Sequence, residues 1–205
     1  MSNKKTIITV SILSLITIFT ITGTLLMRNP SKNLIASNKI VNFGHYESFA
    51  DYELFANLDS ISNKARVVVI GKVVEVNKPQ EIKIGESFSP EKNESVDVTD
   101  VYTVSDIKVE KVIKGDVKPG DIVSVKQRGG LYNGKNYTEK GAEYLVEGDR
   151  NVFFLEVYDK VPASLMNPTQ GKLKIKDNKI LFEDKFESKI NDMTEDEFLL
   201  KLKKS

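Results

Sequence analysis

The chain has 205 residues, with 30 basic and 29 acidic side chains, one histidine and no cysteine. The missing cysteine excludes disulfides, thiol catalysis and cysteine-ligated metals, and the near-neutral charge argues against nucleic-acid binding, which needs a basic surface. Lysine far outnumbers arginine, and isoleucine and asparagine are frequent, a composition typical of an AT-rich Gram-positive bacterium.

An uncharged apolar segment over residues 6–27 lies between Lys5 and Arg28. A helix of this length is about 33 Å long, enough to cross the hydrocarbon core of a bilayer. It exceeds the apolar stretch of a usual signal peptide, and no good cleavage site follows. We predict an uncleaved signal anchor over residues 1–28, which places the chain in the cell membrane with its C-terminal part outside. If the leader is cleaved instead, the protein is secreted.

A polar, irregular stretch over residues 29–47 is predicted to tether this anchor to a folded domain over residues 48–205. The domain opens with a predicted helix over residues 48–64, which Ser48 caps. The only histidine, His45, falls in the tether. A single histidine builds neither a catalytic triad nor a multi-histidine metal site.

Strand patterns dominate the rest of the chain. The predicted strands cover residues 66–76, 96–113, 122–127 and 151–158, with a hairpin over 173–182 that turns at Asp177-Asn178. The connections over 77–95, 128–143 and 159–171 are predicted as loops. A C-terminal helix over 195–204 has a capping box made by Thr194 and Glu197.

Long strands separated by regular turns favour a mainly β fold. Gly71, inside the first strand, predicts a bulge or bend there. We predict a small closed β-barrel of five or six strands, flanked by an N-terminal and a C-terminal helix and preceded by one transmembrane helix.

Four segments carry a resemblance to a known family: 67–73 (VVVIGKV), 102–104 (YTV), 109–116 (VEKVIKGD) and 120–125 (GDIVSV). They resemble exported bacterial domains with the oligonucleotide/oligosaccharide-binding (OB) barrel, as used in netrin-like and metalloproteinase-inhibitor-like domains. The resemblance covers roughly residues 49–182 and implies the fold. The inhibitors need an N-terminal cysteine and disulfides, which this chain lacks. The usual helix between the third and fourth barrel strands would fall in 128–143.

Ligands of OB barrels contact the face of the second and third strands and the loops after the first and fourth strands. Polar and aromatic side chains near the ends of the third and fourth predicted strands are therefore the candidate ligand-binding residues. They are Gln127, Arg128, Tyr132, Asn136, Tyr137, Asn167 and Gln170. Amides, a guanidinium and aromatic faces suit a sugar or an extended peptide.

No catalytic, metal-binding or cofactor-binding residues are predicted. The acidic residues Asp97 and Asp100 lie near Glu91 and Glu94, but the spacing of a calcium-binding loop is missing. The leading hypothesis is a non-enzymatic, membrane-tethered extracellular module that binds a cell-wall glycan or an envelope protein. The alternatives are an inhibitor of an extracellular peptidase and a hydrolase that uses carboxylates.

Overall fold

The computed structural model describes residues 44–203 of the chain. The predicted signal anchor and most of the tether lie outside these residues. Among the residues described, no helix is long and apolar enough to cross a membrane.

The described chain forms twelve strands and two helices. In chain order these are β1 (Gly44–Ser48), α1 (Leu58–Lys64), β2 (Val67–Val76), β3 (Gln80–Ser89), β4 (Glu94–Lys114), β5 (Ile122–Arg128), β6 (Gly130–Tyr132), β7 (Lys135–Glu139), β8 (Arg150–Glu156), β9 (Ala163–Leu165), β10 (Lys172–Lys176), β11 (Lys179–Ile180), β12 (Met193–Thr194) and α2 (Glu195–Leu202).

Five of these strands close into a barrel, which confirms the prediction of a mainly β fold with a small closed barrel. Strand β2 pairs with both β4 and β8, and β4 pairs with β5. Strand β9 completes the ring because it runs parallel to β5 and antiparallel to β8. The first part of β4 extends past the ring and forms a hairpin with β3.

Two apolar cores lie on opposite faces of β2 and β8. Val67 and Val69 point into the barrel with Phe153, where side chains from all five barrel strands meet. Val68 and Phe154 point outward into a second core under α1, the β10–β11 hairpin and α2. A strand that is buried on both faces has a continuous apolar sequence, as β2 has from Val67 to Gly71.

Gly71 sits at a register shift between β2 and β4, where the sequence predicted a bulge. A Cβ atom at this position would lie 2.6 Å from Ile107 Cγ2 and 2.9 Å from the Lys108 carbonyl oxygen. The barrel interior therefore has no space for a side chain here.

We expect Gly71→Ala to lower the free energy of unfolding by about 1–3 kcal/mol because it overpacks the barrel. The matched control is Gly85→Ala in strand β3, where a Cβ would meet nothing within 4 Å. Urea denaturation should leave the control within about 0.5 kcal/mol of the wild type. Equal losses in both variants would contradict the close packing at Gly71.

The turn between β10 and β11 and the C-terminal helix also have the features that the sequence predicted. Asp177 and Asn178 both have positive φ, and Ile175 pairs with Ile180 across them, as a two-residue hairpin turn requires. Helix α2 has the predicted capping box but ends at Leu202, two residues earlier than predicted.

The predicted helix over 48–64 is wrong in its first half. Ser48 ends strand β1, and the helix begins only at Leu58. Its N-cap is Asn57, whose Oδ1 accepts the Ser60 N–H at 2.9 Å. The apolar spacing and the cap at Ser48 predicted helix over residues 49–56, which are in neither a helix nor a strand.

Three connections predicted as loops contain strands. Residues 77–95 hold β3, which pairs with β4 alone and is mostly exposed, so its sequence is polar. Residues 128–143 form the β6–β7 hairpin, and no helix interrupts them. The short strand β9 lies within 159–171. Residues 44–47, predicted as tether, form most of β1, which pairs with β7.

Candidate ligand-binding cleft

A cleft of about 250 Å³ lies on the outer face of strands β4 and β5. Lys126 and Arg128 are two residues apart on β5 and so share a face, and Tyr102 on β4 pairs directly with Arg128. Tyr158, in the loop after β8, closes one side, and Tyr52, before α1, also lines the cleft. We call this site the tyrosine cleft. The remaining lining residues are Gln127, Glu139, Glu156, Ser164, Leu165, Met166 and Pro168.

Arg128 is held in place by Asp100 on β4. Its Nε atom donates a hydrogen bond to Asp100 Oδ2, and Nη2 forms a salt bridge with the same oxygen. Burial is the largest single effect and opposes the charge of Arg128, but the charge of Asp100 and the hydrogen bond to it, together with Tyr102 and Glu139, raise the pKa of the guanidinium. The side chain is therefore a fixed, permanently charged part of the cleft wall.

Lys126 is a buried cation with few partners. Its side chain is among the buried polar groups, and burial lowers its pKa. The Nζ atom donates to the Pro162 carbonyl oxygen at 2.6 Å and lies 4.2 Å from the centre of the Tyr158 ring. Within residues 44–203 it forms no salt bridge and no second hydrogen bond. An ammonium group has three donors, so two remain for a ligand.

Tyr52 and Tyr102 are neutral hydrogen-bond donors at physiological pH. The Tyr52 hydroxyl donates to Glu139 Oε1, and burial together with this bond raises the pKa of Tyr52. Burial also raises the pKa of Tyr102. The cleft thus combines flat aromatic faces, hydroxyl groups, two cations and two carboxylates, Glu139 and Glu156.

Two of the seven predicted site residues, Gln127 and Arg128, line the tyrosine cleft. The amide of Gln127 is already engaged, because Nε2 donates to the Glu143 carbonyl oxygen at 2.9 Å and Oε1 accepts the Leu145 N–H at 2.8 Å. Of these two residues, Arg128 is therefore the better candidate for direct contact with a ligand.

Asn167 and Gln170 are buried and join two backbone segments. Gln170 Oε1 accepts the Phe55 N–H at 2.9 Å, and its Nε2 donates to the carbonyl oxygens of Phe55 and Lys185. Asn167 Nδ2 donates to the Glu53 carbonyl oxygen and to Gln170 Oε1. These amides hold the segment before α1 against the barrel.

We expect Gln170→Ala to lower the free energy of unfolding by about 1–3 kcal/mol, because buried groups of Phe55 and Lys185 lose their partner. Thr169→Ala, at an exposed neighbour, should stay within about 0.5 kcal/mol of the wild type. Urea denaturation measures both changes. Unchanged stability in Gln170→Ala would argue that this amide is kept for a ligand rather than for the fold.

The other three predicted residues, Tyr132, Asn136 and Tyr137, lie in a separate three-stranded sheet with the order β1-β7-β6. The Tyr137 ring stacks on Tyr46 at a centroid distance of 5.3 Å. Of the three connections predicted as loops, 128–143 and 159–171 contribute lining residues to the tyrosine cleft, and 77–95 contributes none.

The cleft residues that sequence reasoning missed include the three tyrosines and the lysine: Tyr52, Tyr102, Tyr158 and Lys126. A signal for Lys126 was present, because strand alternation places it on the same face as Arg128. No corresponding signal exists for Tyr52, since only the fold brings it to Glu139.

Metal chemistry has no evident centre in the part of the chain that the structure describes. Among those residues, no group of three or more His, Asp or Glu side chains is arranged to hold an ion.

Comparisons with known proteins add no name to this site. No protein-family model matches the chain, and neither a curated protein nor a solved structure is significantly similar to it.

Proposed function

We propose that this protein is a membrane-tethered extracellular binding module, not an enzyme, and that its tyrosine cleft binds an acidic cell-wall glycan. The observation that carries this proposal is Lys126, a buried cation with two unused donors in a cleft lined by tyrosines. A carboxylate on the ligand would compensate the cost of keeping this charge away from water.

The arrangement of the barrel supports this location for the ligand. We infer a barrel of the OB type, in which β2, β4, β5, β8 and β9 are the first to fifth strands. The tyrosine cleft then lies on the outer face of the second and third strands and beside the loop after the fourth, where OB barrels bind oligosaccharides. The β6–β7 hairpin takes the place of the usual helix.

The remaining lining groups suit sugar rings better than a purely apolar ligand. Tyrosines present flat faces to the C–H groups of a sugar and hydroxyls to its polar edge. The glycan of the bacterial wall alternates N-acetylglucosamine with N-acetylmuramic acid, whose lactyl group is a free carboxylate wherever no stem peptide is attached to it. The apolar segment over 6–27 would hold the domain beside this polymer.

The test is isothermal titration calorimetry on the full chain in detergent micelles. The probes are the N-acetylglucosamine–N-acetylmuramic acid disaccharide and the neutral disaccharide of N-acetylglucosamine. We expect saturable binding with a preference for the acidic sugar. Lys126→Met should weaken the acidic sugar at least ten-fold and remove the preference, whereas Lys118→Met, at an exposed turn, should change neither.

Absence of binding to both sugars by the folded wild type would overturn the proposal. If Lys118→Met weakened binding as much as Lys126→Met, the proposal would also be contradicted, because the effect would then depend only on the net charge of the protein. Stoichiometric inhibition of a secreted peptidase by a chain that binds no glycan would favour the inhibitor hypothesis.

A further inference from the structure

The small sheet presents an aromatic face that begins at the tyrosine cleft. Along β7, alternation puts Lys135, Tyr137 and Glu139 on one side of the sheet. The register between β1 and β7 aligns Tyr46 with Tyr137, so both rings are on that side. Glu139 itself lines the cleft and accepts the Tyr52 hydroxyl bond.

The stacked pair Tyr46–Tyr137 is fixed and open. The rings are 5.3 Å apart with an interplanar angle of 18°. Lys135 Nζ lies 5.4 Å from the centre of the Tyr46 ring, and half of Tyr46 is exposed. A rigid aromatic surface with a neighbouring cation costs little conformational entropy when a ligand covers it.

The spacing of side chains along β7 would let a linear ligand contact them one after another. Two residues separate Glu139 from Tyr137, which corresponds to about 7 Å of strand. Lys135 follows after the same distance again. A linear polymer that occupies the cleft and continues past Glu139 would therefore meet the tyrosine pair and then the Lys135 ammonium.

We propose that the tyrosine cleft and the Tyr46–Tyr137 pair form one elongated site for a linear glycan of several sugars. This inference rests on the proposed function and specifies its ligand as an oligomer. The cleft binds one disaccharide with its acidic sugar at Lys126, a ring beyond this disaccharide lies on Tyr46, and Lys135 meets a further acidic group. Strand β1 thus belongs to the binding site, although the sequence predicted it as tether.

The experiment compares chain lengths. Calorimetry on the full chain in micelles uses the N-acetylglucosamine–N-acetylmuramic acid disaccharide and the hexasaccharide of the same repeat. The wild type should bind the hexasaccharide at least ten-fold more tightly than the disaccharide. Tyr46→Ala should remove most of this difference and leave the disaccharide affinity unchanged, while Tyr46→Phe keeps it. Lys135→Met should reduce the difference about three-fold.

Leu131→Ala is the matched control, because Leu131 is half exposed on the opposite face of the same sheet. It should not alter the length dependence. Disaccharide binding without any gain from length, or equal weakening of both sugars by Tyr46→Ala and Lys135→Met, would overturn the elongated site and leave the proposed function standing. Absence of binding to both sugars would refute the proposed function itself.

Discussion

Replacing Phe154 by alanine is expected to lower the free energy of unfolding by about 3–5 kcal/mol. The Phe154 side chain is fully buried in the outer core between the barrel and its covering elements, where it clusters with Phe182 and Phe198. Removing the ring leaves a cavity between the barrel and its covering elements. The helices α1 and α2 and the β10–β11 hairpin cannot move closely enough together to fill it. Urea denaturation followed by circular dichroism measures the change.

Phe88→Ala is the control for the loss of a phenyl ring. Phe88 lies in the β3–β4 hairpin and is 62% exposed, so its removal should change the free energy of unfolding by about 0.5 kcal/mol or less. If both variants lost the same stability, the assignment of Phe154 to a packed core would be wrong.

The second large effect is expected at the ion cluster that fastens α2 to the barrel. Glu195, at the start of α2, has a buried side chain that is bonded by Arg150 on β8 and by Lys111 on β4 at 2.8 Å. Arg150→Met removes the main partner of this buried carboxylate. We expect a loss of about 3 kcal/mol at pH 7, because breaking a buried pair leaves a poorly compensated charge.

The pH dependence of this loss has a definite sign. The hydrogen bonds from Arg150 outweigh burial and, with help from Lys111, lower the pKa of Glu195 from 4.5 to about 2. A lowered pKa stabilises the fold at pH values above 4.5, and this contribution disappears as the pH falls through 2. The stability difference between the wild type and Arg150→Met should therefore be largest near neutrality and shrink between pH 4.5 and pH 2.

Arg66→Met serves as the matched control. Arg66 also pairs with a glutamate, Glu156, but its side chain is 65% exposed and the contact is 3.5 Å. Such a pair contributes about 0–1 kcal/mol, with little dependence on pH in this range. A pH-independent loss in Arg150→Met would show that packing of the arginine, rather than the charge of Glu195, fastens α2.

The parts of the fold that the sequence predicted are those where local chemistry and burial agree. Strand β2 is apolar on both faces because one face fills the barrel and the other fills the outer core. The turn at Asp177-Asn178 has residues that tolerate positive φ, and the strands on each side are apolar. In α2, Thr194 and Glu197 are close enough in sequence for the cap to be read directly.

The missed elements lack a buried face. Strand β3 projects from the barrel and is mostly exposed, so its sequence is largely polar and did not indicate a buried strand. Residues 128–143 were predicted as a loop because they are rich in glycine, asparagine and tyrosine, although Asn133-Gly134 is itself a hairpin turn signal. Strand β1 is stabilised by pairing with β7, a contact about ninety residues away that no local pattern reveals.

The site residues were harder to predict than the fold, because residue type does not distinguish a buried amide from an exposed one. Asn167 and Gln170 have the chemistry of ligand-binding residues, yet their amides bond the backbone within the protein. Arg128 was selected as a fork donor and does line the cleft. Lys126 was not predicted, because it is unusual only in being buried, which its residue type does not reveal.

A crystal structure of the full chain with the N-acetylglucosamine–N-acetylmuramic acid hexasaccharide tests the central claim most directly. We predict a lactyl carboxylate about 2.7–2.9 Å from Lys126 Nζ, as in a charge-assisted hydrogen bond, with sugar rings against Tyr158 and Tyr46. A saturating oligosaccharide bound elsewhere on the protein, with the tyrosine cleft holding only solvent, would contradict the account.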